Sequence, residues 1–103
     1  MAVFVMTADD DVLYVFADEA AALAFEVAYE VTGRSADKLF FADDGSGLQH
    51  LKAGNGSGWF RPWASCNSCH LAQVLYRLKQ IVDAGNTGLG SVEAIGLHVR
   101  RDL

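Results

Sequence analysis

The apolar positions of the chain fall into short runs and periodic stretches. Residues 2–6 (AVFVM) and 12–16 (VLYVF) are rich in valine and aromatics, with TADDD between them. Two such runs around a polar turn predict a β-hairpin. Asp18 follows as a helix N-cap, and Gly33 stands where a helix would end. Between them Ala20, Leu23, Ala24, Val27 and Val31 recur at helical spacing and predict the buried stripe. Glu19, Glu26 and Glu30 fall on another face, as an exposed row of carboxylates. Phe25 and Tyr29, four apart, either widen the buried face or form an exposed aromatic patch.

Lys38 to Ala42 predicts a third strand and Leu48 to Lys52 a fourth, because the Asp44-Gly45 step between them is a hairpin signal. Residues 53–65 read as irregular, glycines first and then Trp59, Phe60, Pro62 and Trp63. Leu71, Val74, Leu75, Leu78, Ile81 and Val82 match the i, i+3, i+4, i+7 spacing. They predict a second helix from about Cys66 to Ala84, stopped by Gly85. Alternation from Val92 to Arg101 predicts a final strand with Ile95, Leu97 and Val99 facing the core. The expectation is one α+β domain over residues 1–103, in the order β-β-α-β-β-α-β. An antiparallel sheet of four to five strands would carry both helices on one face.

Composition agrees with a folded domain: 51% of the 103 residues are hydrophobic and 20% charged, so one core can form without staples. No apolar run reaches the roughly 20 residues that cross a bilayer. Residues 1–6 lack the basic start of a signal peptide and run at once into Asp9, Asp10 and Asp11. A cytoplasmic chain with both cysteines reduced is expected.

Charge changes the picture more. Residues 1–44 hold ten acids against Arg34 and Lys38, a net charge of −8, whereas residues 45–103 carry a net +3. An acidic half repels phosphates and disfavours direct nucleic-acid binding. It attracts a basic protein and speeds that encounter. The competing explanation is that acids keep a small domain soluble.

Cys66-Asn67-Ser68-Cys69-His70 is C-x-x-C-H, the pattern of covalent haem attachment. Against haem stand the missing export signal, the mixed fold, and a second iron ligand that only Met1, Met6, His50 or His98 offers. Zinc is a second possibility, with His50 or His98 completing the set Cys66, Cys69 and His70. A redox dithiol is a third, but a thioredoxin-like motif directly follows a strand, and here an aromatic loop precedes it. The structural alternative makes both cysteines small residues at a helix start, and no metal or cofactor is expected. No Ser elbow surrounds Ser65, and Gly54, Gly56 and Gly58 lack the lysine of a phosphate loop. A non-enzyme is expected. Trp59, Phe60, Arg61 and Trp63 are of the types enriched in binding hot spots, or they close the bottom of a small core.

The stretches VLYVFADEAAALAFE and KLFFADDGSGLQHL, within residues 12–51, resemble small bacterial immunity proteins of polymorphic toxin and contact-dependent growth inhibition systems. In those an aromatic strand leads into a Glu/Ala-rich helix, then a strand ending in Phe-Phe and an Asp-Gly hairpin. The segment from Trp59 to Leu103 lies outside the resemblance. The resemblance implies a cytoplasmic protein that is not an enzyme and that neutralises one cognate toxin, often a nuclease with a basic cleft. Asp9, Asp10, Asp11, Glu19, Glu26, Glu30, Asp43 and Asp44 would then mimic phosphates, with Trp59 and Phe60 as apolar contacts. A phage-type inhibitor of a host nuclease would use the same acidic surface.

Overall fold

The structure, a computed structural model, describes residues 1–7, 10–31, 38–52, 58–62 and 70–100; at 26–31, 52 and 100 it describes the backbone alone. Val3–Thr7 (β1) and Val12–Phe16 (β2) form the expected antiparallel hairpin, with Val5 opposite Tyr14. Asp18 caps the helix Glu19–Val31 (α1), accepting the Ala21 N–H at 2.8 Å. Lys38–Phe41 (β3) pairs antiparallel with β1, and Gly47–Lys52 (β4) with β3. The turn between them closes through Gly45 N–H to the Ala42 carbonyl and Ala42 N–H to the Ser46 carbonyl. Gly45 has φ +88°, and a Cβ there would lie 2.7 Å from the His70 ring, so both conformation and space require glycine.

Three elements differ from expectation. Gly58–Pro62, within the stretch expected to be irregular, is a strand (β5) on β4. The described part of the expected second helix is two 3-10 turns, Leu71–Gln73 and Leu75–Arg77, followed by the strand Gln80–Val82 (β6). Val74, between the turns, has φ −114° and ψ 0°, and Leu78 is extended, so no α-helix continues through them. Strand β6 pairs parallel with β2, and the pairing is prolonged by Lys79 N–H to the Asp11 carbonyl and Gly85 N–H to the Val15 carbonyl. The expected last strand is a helix, Val92–Arg100 (α2), with Ser91 Oγ accepting the Ala94 N–H at 3.1 Å.

The fold is therefore α+β, with a mixed six-stranded sheet in the order β5-β4-β3-β1-β2-β6. The helices lie on opposite faces of it. Phe4, Met6, Leu13, Val15 and Phe41 pack with Leu71, Leu75, Ile95 and Val99 on the α2 side. Val3, Val5, Phe16 and Leu48 pack with Ala21, Ala22 and Phe25 on the α1 side. Strands β1 and β2 are central and covered on both faces, which is why they read as unbroken apolar runs instead of alternating ones.

Of the expected stripe on α1, Leu23 is part-buried, Ala20 and Ala24 are exposed, and the side chains of Val27 and Val31 lie outside the described residues. Ala22 is fully buried and Phe25 stacks on Tyr14 and Phe16, with ring centroids at 4.7 and 5.2 Å. Phe25 thus widens the buried face. Rings as large as those of β2 need a broad aromatic partner, which alanines at positions 20 and 24 cannot supply.

Candidate functional site

The acidic residues are sorted by the strand directions. Asp10 and Asp11 sit in the β1–β2 turn, beyond Thr7. Asp18 and Glu19 follow Phe16, which pairs with Val3, and Asp43 Oδ1 accepts the Ala2 N–H at 2.8 Å. Asp18, Glu19, Asp43 and Asp44 therefore share the end of the sheet where β1 begins. Asp10 and Asp11 occupy the other end, roughly 17 Å away at the rise of a strand. Asp9 and Gly33 lie outside the described residues, and for Glu26 and Glu30 the described backbone continues α1.

At the first end a cavity of about 290 Å³ is lined by Val3, Leu48 and Phe60 below and by Asp18, Glu19 and Asp43 around it. Each of these carboxylates has work within the fold. Asp18 caps α1, and Glu19 Oε1 accepts the Phe60 N–H at 3.1 Å. Asp43 Oδ1 also lies 2.9 Å from His98 Nε2 on α2. Partial burial acts to raise the Asp43 pKa, but the hydrogen bonds from His98 and Ala2, with the charge of His98, outweigh it and hold the carboxyl below its ordinary value. Asp44 is exposed, and it too is held below its ordinary value, first by the Ser46 hydroxyl at 2.6 Å and then by the Ser46 N–H at 2.9 Å. An ionised carboxylate accepts about four hydrogen bonds, so these contacts aim the groups and keep them charged without exhausting them.

At the other end Asp11 is a structural residue. Its φ of 54° suits the short polar side chain of an aspartate, and its Oδ1 lies 3.2 Å from Arg77 Nη2. That pairing consumes acidic charge which the sequence pattern leaves open.

The aromatic candidates part company. Phe60 packs into a cluster with Phe40 and His50, centroids at 5.1 and 5.4 Å, on the α1 side of the sheet. Trp59, one residue earlier, faces the opposite side and is 43% exposed. Trp63 is outside the described residues.

Cys66 and Cys69 are also outside them; His70 is within. Its Nδ1 accepts the Ala72 N–H at 3.1 Å, and Gln73 returns a bond to the His70 N–H, a reciprocal cap on the first 3-10 turn. From His70 onward the chain is a capped 3-10 turn where an α-helix was expected. Among the described residues no three His, Cys, Asp or Glu side chains converge as a metal site. No helix among them is long and apolar enough to cross a membrane.

One surface escaped the sequence pattern. Tyr76 is 84% and Leu97 78% exposed, and with Val92 they border an apolar groove floored by Leu75 and Gly96. Tyr76 falls off the apolar stripe of residues 71–82, which was a signal of exposure. Leu97 gave the opposite signal, since alternation placed it in the core. Comparisons with protein families, curated proteins and solved structures found no match to this chain.

Proposed function

We propose that the chain is an immunity protein: a non-catalytic ligand that binds one cognate protein toxin, a nuclease domain with a basic cleft, and neutralises it. The observation that carries this reading is the gathering of Asp18, Glu19 and Asp43 around a cavity with an apolar floor at one end of the sheet, with Asp44 in the turn beside Asp43. The net charge of −8 over residues 1–44 supports the same sign of partner. Internal hydrogen bonds hold Asp43 and Asp44 ionised, so the surface presents fixed negative charge where a nuclease would bind phosphate. Trp59 adds a half-exposed apolar contact outside the acidic end. Asp10 and Asp11 lie too far off to share a small footprint with it. A phage-type inhibitor of a host nuclease would present the same chemistry and differ only in its target.

The test is to recover the stoichiometric partner from source cells, separate it, and assay its nuclease activity before and after the chain is added back. Return of activity on separation and its loss on addition is the expected result. Asp44→Lys should weaken the inhibition, more at low salt than at high, while Asp10→Lys should leave it nearly unchanged. A separated partner whose activity ignores the added chain would sink the proposal. Equal effects of the two reversals would move the contact surface away from this end.

A further inference from the structure

Asp44-Gly45 is the chain's one Asp-Gly step, and such a step carries a reaction of its own. The Gly45 nitrogen can attack Cγ of Asp44. A C–N bond forms, the amide proton and a carboxyl oxygen leave as water, and a five-membered succinimide closes. Water then opens the ring. Attack at Cγ restores aspartate, and attack at the main-chain carbonyl leaves an isoaspartate, whose backbone runs through Cβ. Nothing is oxidised or reduced. Glycine hinders the attacking nitrogen least, because it has no Cβ.

The turn cannot avoid this chemistry by changing the glycine. Gly45 has φ +88°, and a Cβ on it would lie 2.7 Å from Cε1 of His70 and 2.9 Å from Cβ of Val99. The fold instead engages both reacting groups. Gly45 is buried, and its N–H donates to the Ala42 carbonyl at 2.9 Å. Asp44 Oδ1 accepts the Ser46 N–H at 2.9 Å and the Ser46 hydroxyl at 2.6 Å. Those two bonds hold the carboxyl toward residue 46, whereas ring closure needs Cγ turned back onto the nitrogen of residue 45. They also favour the ionised carboxylate, a poorer electrophile than the neutral acid. The Gly45 carbonyl accepts the Leu71 N–H at 2.8 Å, so the peptide that would have to rotate is held on its far side as well.

We infer that Asp44-Gly45 is a site of spontaneous isomerisation that the folded turn suppresses, and that the Ser46 hydroxyl is the side-chain group that suppresses it. The reaction proceeds when the turn opens. Its product does not fit back: isoaspartate adds a backbone carbon between Ala42 and Ser46, whose spacing is set by the Ala42 N–H to Ser46 carbonyl bond of 2.8 Å. It also moves the carboxylate off Ser46. A chain that stays folded keeps Asp44, and one that opens often accumulates isoaspartate.

The test incubates the full chain in heavy-oxygen water and reads residue 44 by peptide mapping. Each ring opening leaves a heavy oxygen at that residue, whichever product forms. Mapping also keeps it apart from the Asn55-Gly56 step, which can close a ring of the same kind. The folded parent should label about tenfold more slowly than the same chain unfolded in urea at the same pH, since two hydrogen bonds must break first. Ser46→Ala keeps the N–H bond and loses the hydroxyl, and should label roughly fivefold faster than the parent. Ser46→Thr keeps the hydroxyl and should stay near the parental rate. Leu13→Val weakens the fold at a fully buried site on β2, outside the turn, and should also stay near that rate. Equal labelling of the folded and unfolded parent overturns the inference. So does a Ser46→Ala rate equal to the parent's. A Leu13→Val rate that matches Ser46→Ala overturns it too, because protection would then belong to overall stability and not to the turn. None of these readouts involves a toxin, so this inference and the proposed function fail separately.

Discussion

His98 Nε2 on α2 lies 2.9 Å from Oδ1 of Asp43, so the helix on one face of the sheet is tied to the turn between β3 and β4. The same oxygen receives the Ala2 N–H, which makes Asp43 the junction of the first strand, the turn and the last helix. Asp43→Ala should cost about 1–2 kcal/mol in urea unfolding, since it strips two partners of their acceptor at a half-exposed site.

The pH dependence follows from the direction of the shift. The folded carboxyl of Asp43 titrates below its ordinary 3.8, through the causes given above. A depressed carboxylate stabilises the fold fully above its unfolded value, and that stability is lost as pH falls through the folded value. Asp44 and Asp83 are lowered too, Asp83 chiefly by the Thr87 N–H at 2.8 Å. Stability should therefore be flat near neutrality and decline below about pH 4. Urea midpoints taken down the acid limb check this, and Asp43→Asn should make the decline shallower. An unchanged slope in that variant would show that the junction carries no linked proton.

His70 caps its turn through an unprotonated Nδ1. His70→Ala should lose about 1 kcal/mol, and His70→Asn should recover most of it, because asparagine is a good capping acceptor. The comparison also separates capping from ligation. A structural zinc site built on Cys66, Cys69 and His70 would lose stability equally with either substitution, and the parent would bind one metal per chain. Thermal denaturation with and without added zinc distinguishes the two.

Much of the first half of the fold is legible in the chain: the β1–β2 hairpin, the Asp18 cap, and the β3–β4 turn at Asp44-Gly45 all stand where local chemistry puts them. The second half is less so, for reasons visible in particular residues. Leu71 and Leu75 are buried, and Val74, Leu78 and Ile81 part-buried, on the side the helical stripe required, but the edge of β2 recruits Gln80–Val82, and no local signal encodes a distant edge. Ile95 and Val99 are four apart, a spacing that puts them on one side of either a strand or a helix. Leu97 decides between the two, and Ser91 with Glu93 in the first turn was the local signal for the helix. The acidic end was half legible, since a hairpin must send Asp10 and Asp18 to opposite ends. That β3 docks on β1 and brings Asp43 to Asp18 is a long-range pairing.

The pair Ile95 and Leu97 gives that distinction a measurement. Ile95 is fully buried and Leu97 is 78% exposed. Ile95→Ala should cost about 2–5 kcal/mol, and Leu97→Ala should stay within about 0.5 kcal/mol. A strand would bury both and make the two losses similar. Chemical denaturation of the two variants is enough to decide.

Gly85 makes the sharpest prediction for the edge at β6. Its N–H donates to the Val15 carbonyl at 2.9 Å, and a Cβ placed on it would lie 2.3 Å from the Ala17 backbone nitrogen. Those are main-chain atoms just past the end of β2, so no side chain can swing aside to make room. Gly85→Ala has to push the chain away from β2 and give up that hydrogen bond. A loss of at least about 2 kcal/mol is expected, combining overpacking with an unmade backbone bond. Hydrogen exchange locates the damage: the amide of residue 85 should lose protection first, and those of β1 should retain theirs. If Gly85→Ala unfolds at the parental urea midpoint, the close approach of this turn to β2 is wrong, and with it the parallel placement of β6.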